Sequence, residues 1–173
     1  YHGFAVASII LNVAPKTKLV IAKVLNDKGE GDPRKTAEGI RYCISKKCHI
    51  INCSVAGPRD PDLEAAVNEA YSKGIIVVGA TGNDGRNRLL YPASYLKCIG
   101  VGACDKNNKL AEFSNYNVFM DLIAFGDKVE IPTKKNIIID SGTSFSAPLV
   151  TGTLALLREQ FKLENNKSPK CDE

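Results

Sequence analysis

The chain has 173 residues, of which 44% are hydrophobic and 24% charged, and it carries a formal net charge of +4. This length and composition are typical of one globular domain with a real hydrophobic core. The positive charge is mild and the lysines are scattered, so nucleic acid is not predicted as a partner. No apolar run approaches the length of a membrane span, and therefore no membrane-spanning segment is predicted either.

The chain contains six cysteines, too few for its length to indicate a small scaffold held by disulfides. Several lie in apolar runs such as "IINCSV" and "KCIGVGAC", where a buried free thiol serves as a small hydrophobic side chain. A zinc site is the alternative, because four potential ligands lie close together: Cys43, Cys48, His49 and Cys53. Their spacing fits none of the common zinc patterns, and Cys53 is predicted within a strand, so no metal site is predicted.

Apolar and amphipathic segments alternate along the chain. The segment "KLVIAKVL" at 18–25 is a near-continuous apolar run rich in β-branched residues, which predicts a buried strand. Residues 32–47 place apolar side chains on one helical face and predict a helix. The segment "HIINCSV" at 49–55 predicts a second strand.

The clearest helix is predicted over residues 60–74. Apolar side chains recur there at helical spacing, Asp60 can cap the first turn, and Pro61 suits the first helical position. Gly74 follows as the stop. Three more strands and a final helix complete the pattern: the strands at 75–80, 98–104 and 121–125, and the helix from about Ser144 to Phe161.

This alternation of doubly buried strands with helices predicts an α/β domain with a mostly parallel sheet. In such sheets ligands bind where loops leave the carboxyl ends of strands, which points to "SVAGP" and "TGNDG", each of which follows a predicted strand. A nucleotide-binding domain could use such loops through Gly79, Gly82 and Gly85. That glycine spacing is not the dinucleotide fingerprint, and no basic residue is placed to hold a phosphate, so this is the least favoured hypothesis.

The segment "SGTSFSAPLVTG" at 141–152 places Ser144 at the start of the last predicted helix. A serine at a helix start is more often a capping residue than a nucleophile, so this segment alone does not decide between the two roles. Three other segments change the interpretation: "YHGFAVAS", "NCSVAG" and "VVGATGNDG". Together, and in this order, the four resemble the signature segments of the subtilisin-like serine peptidases. The resemblance covers residues 1–162 and leaves 163–173 as a polar C-terminal tail.

The resemblance implies a three-layer α/β fold, in which helices flank a mostly parallel central sheet, and a serine endopeptidase that needs no cofactor. It implies that Ser144 is the nucleophile, that His2 is its general base, and that Asn83 donates its side-chain amide to the oxyanion. A peptide or protein substrate would bind along an extended rail and fill a pocket for a sizeable apolar side chain. The rail is Ser54, Val55, Ala56 and Gly57, the pocket walls are Ala80, Thr81 and Gly82, and Leu90 shapes the floor.

The sequence departs from the family in the catalytic aspartate. The family takes this Asp from a strand that precedes the His segment, whereas the sequence begins one residue before His2 and none of its aspartates matches the motif. We therefore expect the Asp and the first strand or strands to lie upstream of Tyr1, and the 173 residues alone to be poor catalysts. The alternative is a subtilisin-like domain without catalysis that binds peptides or partners.

Smaller departures concern access to the site and metal binding. Phe4, close to the predicted base, would narrow access for the substrate. The segment "ILNVAPKTK" is too short, and too poor in oxygen ligands, to predict a calcium site. An inhibitory prosegment as a partner and a secreted location are expectations that come from the resemblance alone.

Overall fold

Four parallel strands form the central sheet of the computed structural model, which describes residues 1–132, 136–169 and 171. The strands lie side by side in chain order, with β1 and β4 at the edges of the sheet. They are β1 (Ile50–Cys53), β2 (Ile76–Ala80), β3 (Cys98–Cys104) and β4 (Met120–Phe125). Each coincides with a predicted strand, so the α/β class with a mostly parallel sheet is confirmed.

Helices cover both faces of this sheet. α2 and α3 pack together on one face, while α4 covers the other face and α1 packs against α4. The helices are α1 (His2–Val13), α2 (Pro33–Ser45), α3 (Pro61–Ser72) and α4 (Thr143–Asn165). This is the three-layer arrangement that the resemblance implies.

The side chains of β2 show how one strand contributes to two cores. Val77 is buried in the cluster that α2 and α3 form with the sheet, beside Ile40 and Leu63. Val78 is buried on the opposite face, in a cluster with Ala147 of α4. Successive side chains of a strand point to opposite faces, so a strand covered on both faces needs apolar residues throughout. The strands therefore appear in the sequence as continuous apolar runs rather than as an alternating pattern.

α3 begins and ends as predicted. The Asp60 carboxylate accepts hydrogen bonds from the backbone N–H groups of Asp62 (2.9 Å) and Leu63 (3.0 Å), and Pro61 occupies the first helical turn. Gly74 follows the helix with a φ of +71°, a left-handed conformation that suits glycine at a helix end. Local sequence signals therefore set both ends of this helix.

The prediction of a buried strand at 18–25 is wrong. These residues belong to no strand, and the side chains of Val20 and Ile21 are exposed. A cavity of about 2030 Å³ is lined by this segment on one side and by residues of β1 on the other. None of the strand pairings among the described residues includes this apolar run, and a strand cannot form without a partner.

The structure differs from the predictions at two further places. A hairpin that no sequence pattern predicts, β5 (Val129–Pro132) and β6 (Ile137–Asp140), lies immediately before α4. α4 itself continues past the predicted end to Asn165, so the beginning of the predicted polar tail is helical. Residues 170, 172 and 173 of that tail lie outside the described residues. Among the helices in the described ranges, none combines the length and the apolar character needed to cross a bilayer.

Candidate active site

Ser144 lies in the first turn of α4 but does not cap it. The helix begins at Thr143, its N-cap is Gly142, and no side chain makes the capping hydrogen bond. The Ser144 side chain is half-buried, and its Oγ donates a long hydrogen bond of 3.4 Å to the carbonyl oxygen of Ser54. The capping role is therefore wrong, and the hydroxyl lies at the positive end of the helix dipole, where negative charge is stabilised.

Ser54 connects the loop after β1 to the nucleophile segment. Its Oγ donates to the carbonyl oxygen of Ser144 at 2.8 Å and accepts from Asn52 Nδ2 at 2.9 Å. The carboxyl end of β1 and the N-terminus of α4 are thus held together by side chains from both segments. This places the predicted rail directly beside Ser144.

Asn83, in the loop after β2, has its side chain fixed by Thr143. The Asn83 Oδ1 accepts two hydrogen bonds, from the backbone N–H and from the Oγ1 of Thr143, both at 2.9 Å. Because a backbone N–H can only donate, the atom that faces it must be the amide oxygen, and Nδ2 is left as the donor. Asn83 Nδ2 also lies close to Gly142: a methyl group in place of the glycine hydrogen would be 3.3 Å from Nδ2. A neutral N–H donor therefore lies beside the helix turn that carries Ser144.

The predicted pocket walls are buried and closely packed. Ala80, Thr81 and Gly82 are all buried. Gly82 has a φ of +98°, and a Cβ added there would lie 2.6 Å from the Cδ1 of Leu90 and from the Nδ2 of Asn115. A side chain at position 82 would thus overlap Leu90, the residue predicted at the pocket floor, and the Asn115 amide.

Within the predicted rail, Ser54–Gly57, only Gly57 belongs to the backbone bridge with Tyr91. Gly57 exchanges both of its backbone bonds with Tyr91, at 3.0 and 2.9 Å, in an antiparallel bridge. Along an extended chain, the backbone groups of adjacent residues point to opposite sides, so those of Ala56 face away from Tyr91. Ala56 is exposed and Val55 is half-buried. An added peptide strand would therefore pair with Ser54–Ala56, while Gly57 anchors the end of the rail.

His2 is the first residue of α1, which packs along α4. Its half-buried ring has its centroid 6.4 Å from that of Phe145, the residue after Ser144. Burial lowers the pKa of His2 below its ordinary value, and the Asp140 carboxylate opposes this shift. A lowered pKa favours the neutral imidazole, which is the form that can accept a proton.

Sequence reasoning overlooks two residues that organise the site. The Thr143 hydroxyl donates to Asn83 Oδ1 and accepts from the Gly82 N–H at 3.1 Å. Thr143 belongs to the segment 141–152, but no sequence pattern indicates these two hydrogen bonds. Asn115 is fully buried and contacts the loop that carries Asn83. Its position between Ser114 and Tyr116 offers no local signal of that contact.

Four of the cysteines are buried, Cys43, Cys53, Cys98 and Cys104, whereas Cys48 and Cys171 are half-buried. Burial raises the pKa of Cys53 to about 12 and that of Cys43 to about 11, which disfavours the thiolate that binds metals. Across residues 1–132, 136–169 and 171, no cluster of three or more His, Cys, Asp or Glu side chains could hold a metal ion.

The chain has sequence relatives among known proteins. A sequence model of the subtilase family matches residues 1–169. Subtilisin Savinase of Lederbergia lenta is 37% identical over 153 residues, which cover 87% of this chain and 57% of that protein. The major intracellular serine protease of Bacillus subtilis (strain 168) is 40% identical over 158 residues, covering 86% of this chain and 49% of that protein.

Solved structures show the same fold. The prenylagaramide maturation protease PagA superposes with a TM-score of 0.91 at 29% identity, covering 98% of this chain and 68% of that chain. A cold-adapted subtilisin-like serine proteinase superposes with a TM-score of 0.86 at 26% identity, covering 92% of this chain and 61% of that chain. The chain spans about half the length of the curated relatives it matches. The chain belongs to the subtilase family.

Proposed function

We propose that this chain carries the nucleophile, the general base and the oxyanion donor of a serine endopeptidase. The observation that carries the proposal is the position of the Asn83 amide. Thr143 holds its oxygen through two hydrogen bonds, which leaves Nδ2 as a donor beside the first turn of α4. A fixed, neutral donor next to a serine at a helix N-terminus is the arrangement that stabilises a tetrahedral oxyanion.

In the proposed reaction, the Oγ of Ser144 attacks the carbonyl carbon of the scissile peptide bond while His2 accepts the hydroxyl proton. The carbonyl oxygen becomes an oxyanion, which receives hydrogen bonds from Asn83 Nδ2 and from the backbone N–H of Ser144. The C–N bond then breaks as His2 gives its proton to the leaving amine. Water, with His2 again accepting a proton, hydrolyses the acyl-enzyme and restores Ser144.

His2 also needs a carboxylate to orient its ring. We propose that an aspartate upstream of Tyr1 supplies it, from a strand that fills the space between residues 18–25 and β1. The cavity of about 2030 Å³ at this place supports the proposal, because it is lined by an edge strand and by an apolar segment that belongs to no strand. A strand inserted there would give both of them a backbone partner. Without it, we expect the 173 residues alone to turn over substrate poorly.

The proposed substrate is an extended peptide or protein segment that pairs with Ser54–Ala56 and places an apolar side chain between the walls formed by Ala80–Gly82. The small residues of these walls and the neighbouring Leu90 support an apolar preference. An inhibitory prosegment would compete for the same rail, because it would present the same extended backbone.

A fluorophosphonate probe tests the proposal, since it reacts with a serine whose hydroxyl is activated by a general base. We expect the folded full-length protein to be labelled, with the modified peptide containing Ser144. Ser144→Ala should abolish labelling, whereas Ser141→Ala, which removes an exposed serine three residues earlier, should retain it. Labelling that survives Ser144→Ala, or its absence from the folded wild-type protein, would overturn the catalytic proposal. Peptide binding without labelling would favour a non-catalytic binding domain.

A further inference from the structure

Asn115 lies between β3 and β4, and its side chain is completely buried. Its Oδ1 accepts hydrogen bonds from the backbone N–H groups of Asp84 (2.9 Å) and Arg86 (3.2 Å). Its Nδ2 donates to the carbonyl oxygen of Thr81 (3.2 Å) and to the Asp84 carboxylate (3.1 Å). The amide thus uses both of its donor protons and both of its acceptor sites on a single loop.

This loop, residues 81–86, carries Asn83 and lies outside the named helices and strands. Gly82 and Gly85 flank Asn83 with φ angles of +98° and +65°, so the backbone turns sharply on both sides of it. The backbone N–H of Asn115 also donates to the carbonyl oxygen of Gly82 at 2.9 Å. Contacts to Asn115 therefore take the place of the regular hydrogen bonds that a helix or strand would give the loop.

Asn83 is consequently held from two directions. Thr143 fixes the end of its side chain, and Asn115 fixes the backbone on either side of it. A shift of the loop backbone would carry the Asn83 amide away from the first turn of α4. Donors to an oxyanion act only over short distances, so a small displacement removes most of their effect.

We propose that Asn115 is a positioning residue for the oxyanion hole, which acts on the reaction through the loop 81–86 and Asn83. This inference rests on the proposed endopeptidase function. A residue that only stabilises the core would lower the fraction of folded protein and leave the turnover of each remaining active site unchanged. A positioning residue lowers kcat per active site and leaves KM nearly unchanged, because the oxyanion forms only in the transition state.

The test measures kcat and KM of the full-length protein with a peptide substrate, and counts active sites with the fluorophosphonate probe. Asn115→Ala should lower kcat per labelled site by about tenfold, the effect of one lost hydrogen bond in the transition state. The matched control is Asn117→Ala. It removes a nearby amide that bonds to Arg88 and Phe119 but not to the loop 81–86, and kcat should stay within about twofold.

A double-mutant cycle separates positioning from a general structural effect. In an Asn83→Ala background, Asn115→Ala should change kcat by less than about twofold, because the group that it positions is already absent. The same loss in both backgrounds would overturn the inference, and so would a wild-type kcat in Asn115→Ala. A wild-type protein without labelling at Ser144 would instead refute the proposed function, so the two failures are distinguishable.

If Asn115→Ala does not fold, a charge exchange provides the measurement. Asn115→Asp keeps the acceptor for the two backbone N–H groups but sets a carboxylate oxygen against the Asp84 carboxylate. Adding Asp84→Asn restores a donor opposite that oxygen. The double variant should recover several-fold in kcat over Asn115→Asp, and the absence of any recovery would contradict the positioning role.

Discussion

Thr143→Val offers a direct test of how the candidate oxyanion hole is held. The Thr143 side chain is fully buried, and its hydroxyl makes two hydrogen bonds in this site. It accepts from the Gly82 N–H at 3.1 Å and donates to the Asn83 Oδ1 at 2.9 Å. Valine has nearly the same shape, so the substitution removes the hydroxyl without opening a cavity.

The two lost bonds have different consequences. The buried Gly82 N–H is left without its acceptor, which costs about 1–3 kcal/mol in the free energy of unfolding. The Asn83 Oδ1 keeps its bond from the Thr143 backbone N–H and loses the one from the hydroxyl. Losing about 1 kcal/mol of transition-state stabilisation corresponds to a decrease in kcat of about fivefold. Loss of activity should therefore be partial.

The assay is steady-state hydrolysis of a peptide substrate by the full-length protein, normalised to labelled Ser144, together with urea unfolding. Thr143→Ser is the matched control, because it keeps the hydroxyl and should retain kcat within about twofold. A wild-type kcat for Thr143→Val would refute the claim that the hydroxyl holds Asn83. So would a Thr143→Ser variant that is as impaired as Thr143→Val.

Asp140→Asn is expected to move the acid limb of the kcat/KM profile to lower pH. Burial lowers the pKa of His2, and the Asp140 carboxylate opposes that shift. Removing the carboxylate charge therefore lowers the pKa of His2 further, and the base stays neutral at lower pH. An unchanged pH profile at low salt would contradict this prediction. Asp60→Ala should lower the free energy of unfolding by about 1 kcal/mol, because two N-terminal N–H groups of α3 lose their acceptor. Asp60→Asn should be nearly neutral in the same denaturation experiment, and equal losses for both variants would exclude capping. Leu63→Ala should cost about 2–5 kcal/mol, whereas Leu163→Ala, at a side chain that is 79% exposed, should cost less than about 0.5 kcal/mol.

Local sequence patterns were sufficient for most of the fold. The β2 run "IIVVGA" is apolar throughout because both faces of the strand are covered, and this feature is visible without any partner. The ends of α3 are equally local, since Asp60 bonds to residues two and three positions away. Four short segments, read together, were sufficient to identify the family and to name Ser144, His2 and Asn83 as candidates.

The tertiary structure decided what depends on distant partners. Residues 18–25 carry the composition of a strand but form none, because composition does not provide the neighbouring backbone that a strand needs. The donor end of the Asn83 amide became clear only when Thr143, 60 residues away, was found to face its oxygen. Asn115 lies 34 residues from the Thr81 carbonyl that it binds, and no periodicity connects the two. The sequence by itself determined which elements form and which residues are candidates, because propensity, capping and burial act over a few residues. The orientation of the candidate groups was decided by the tertiary structure, because a buried amide is oriented by the atoms that the fold brings to it.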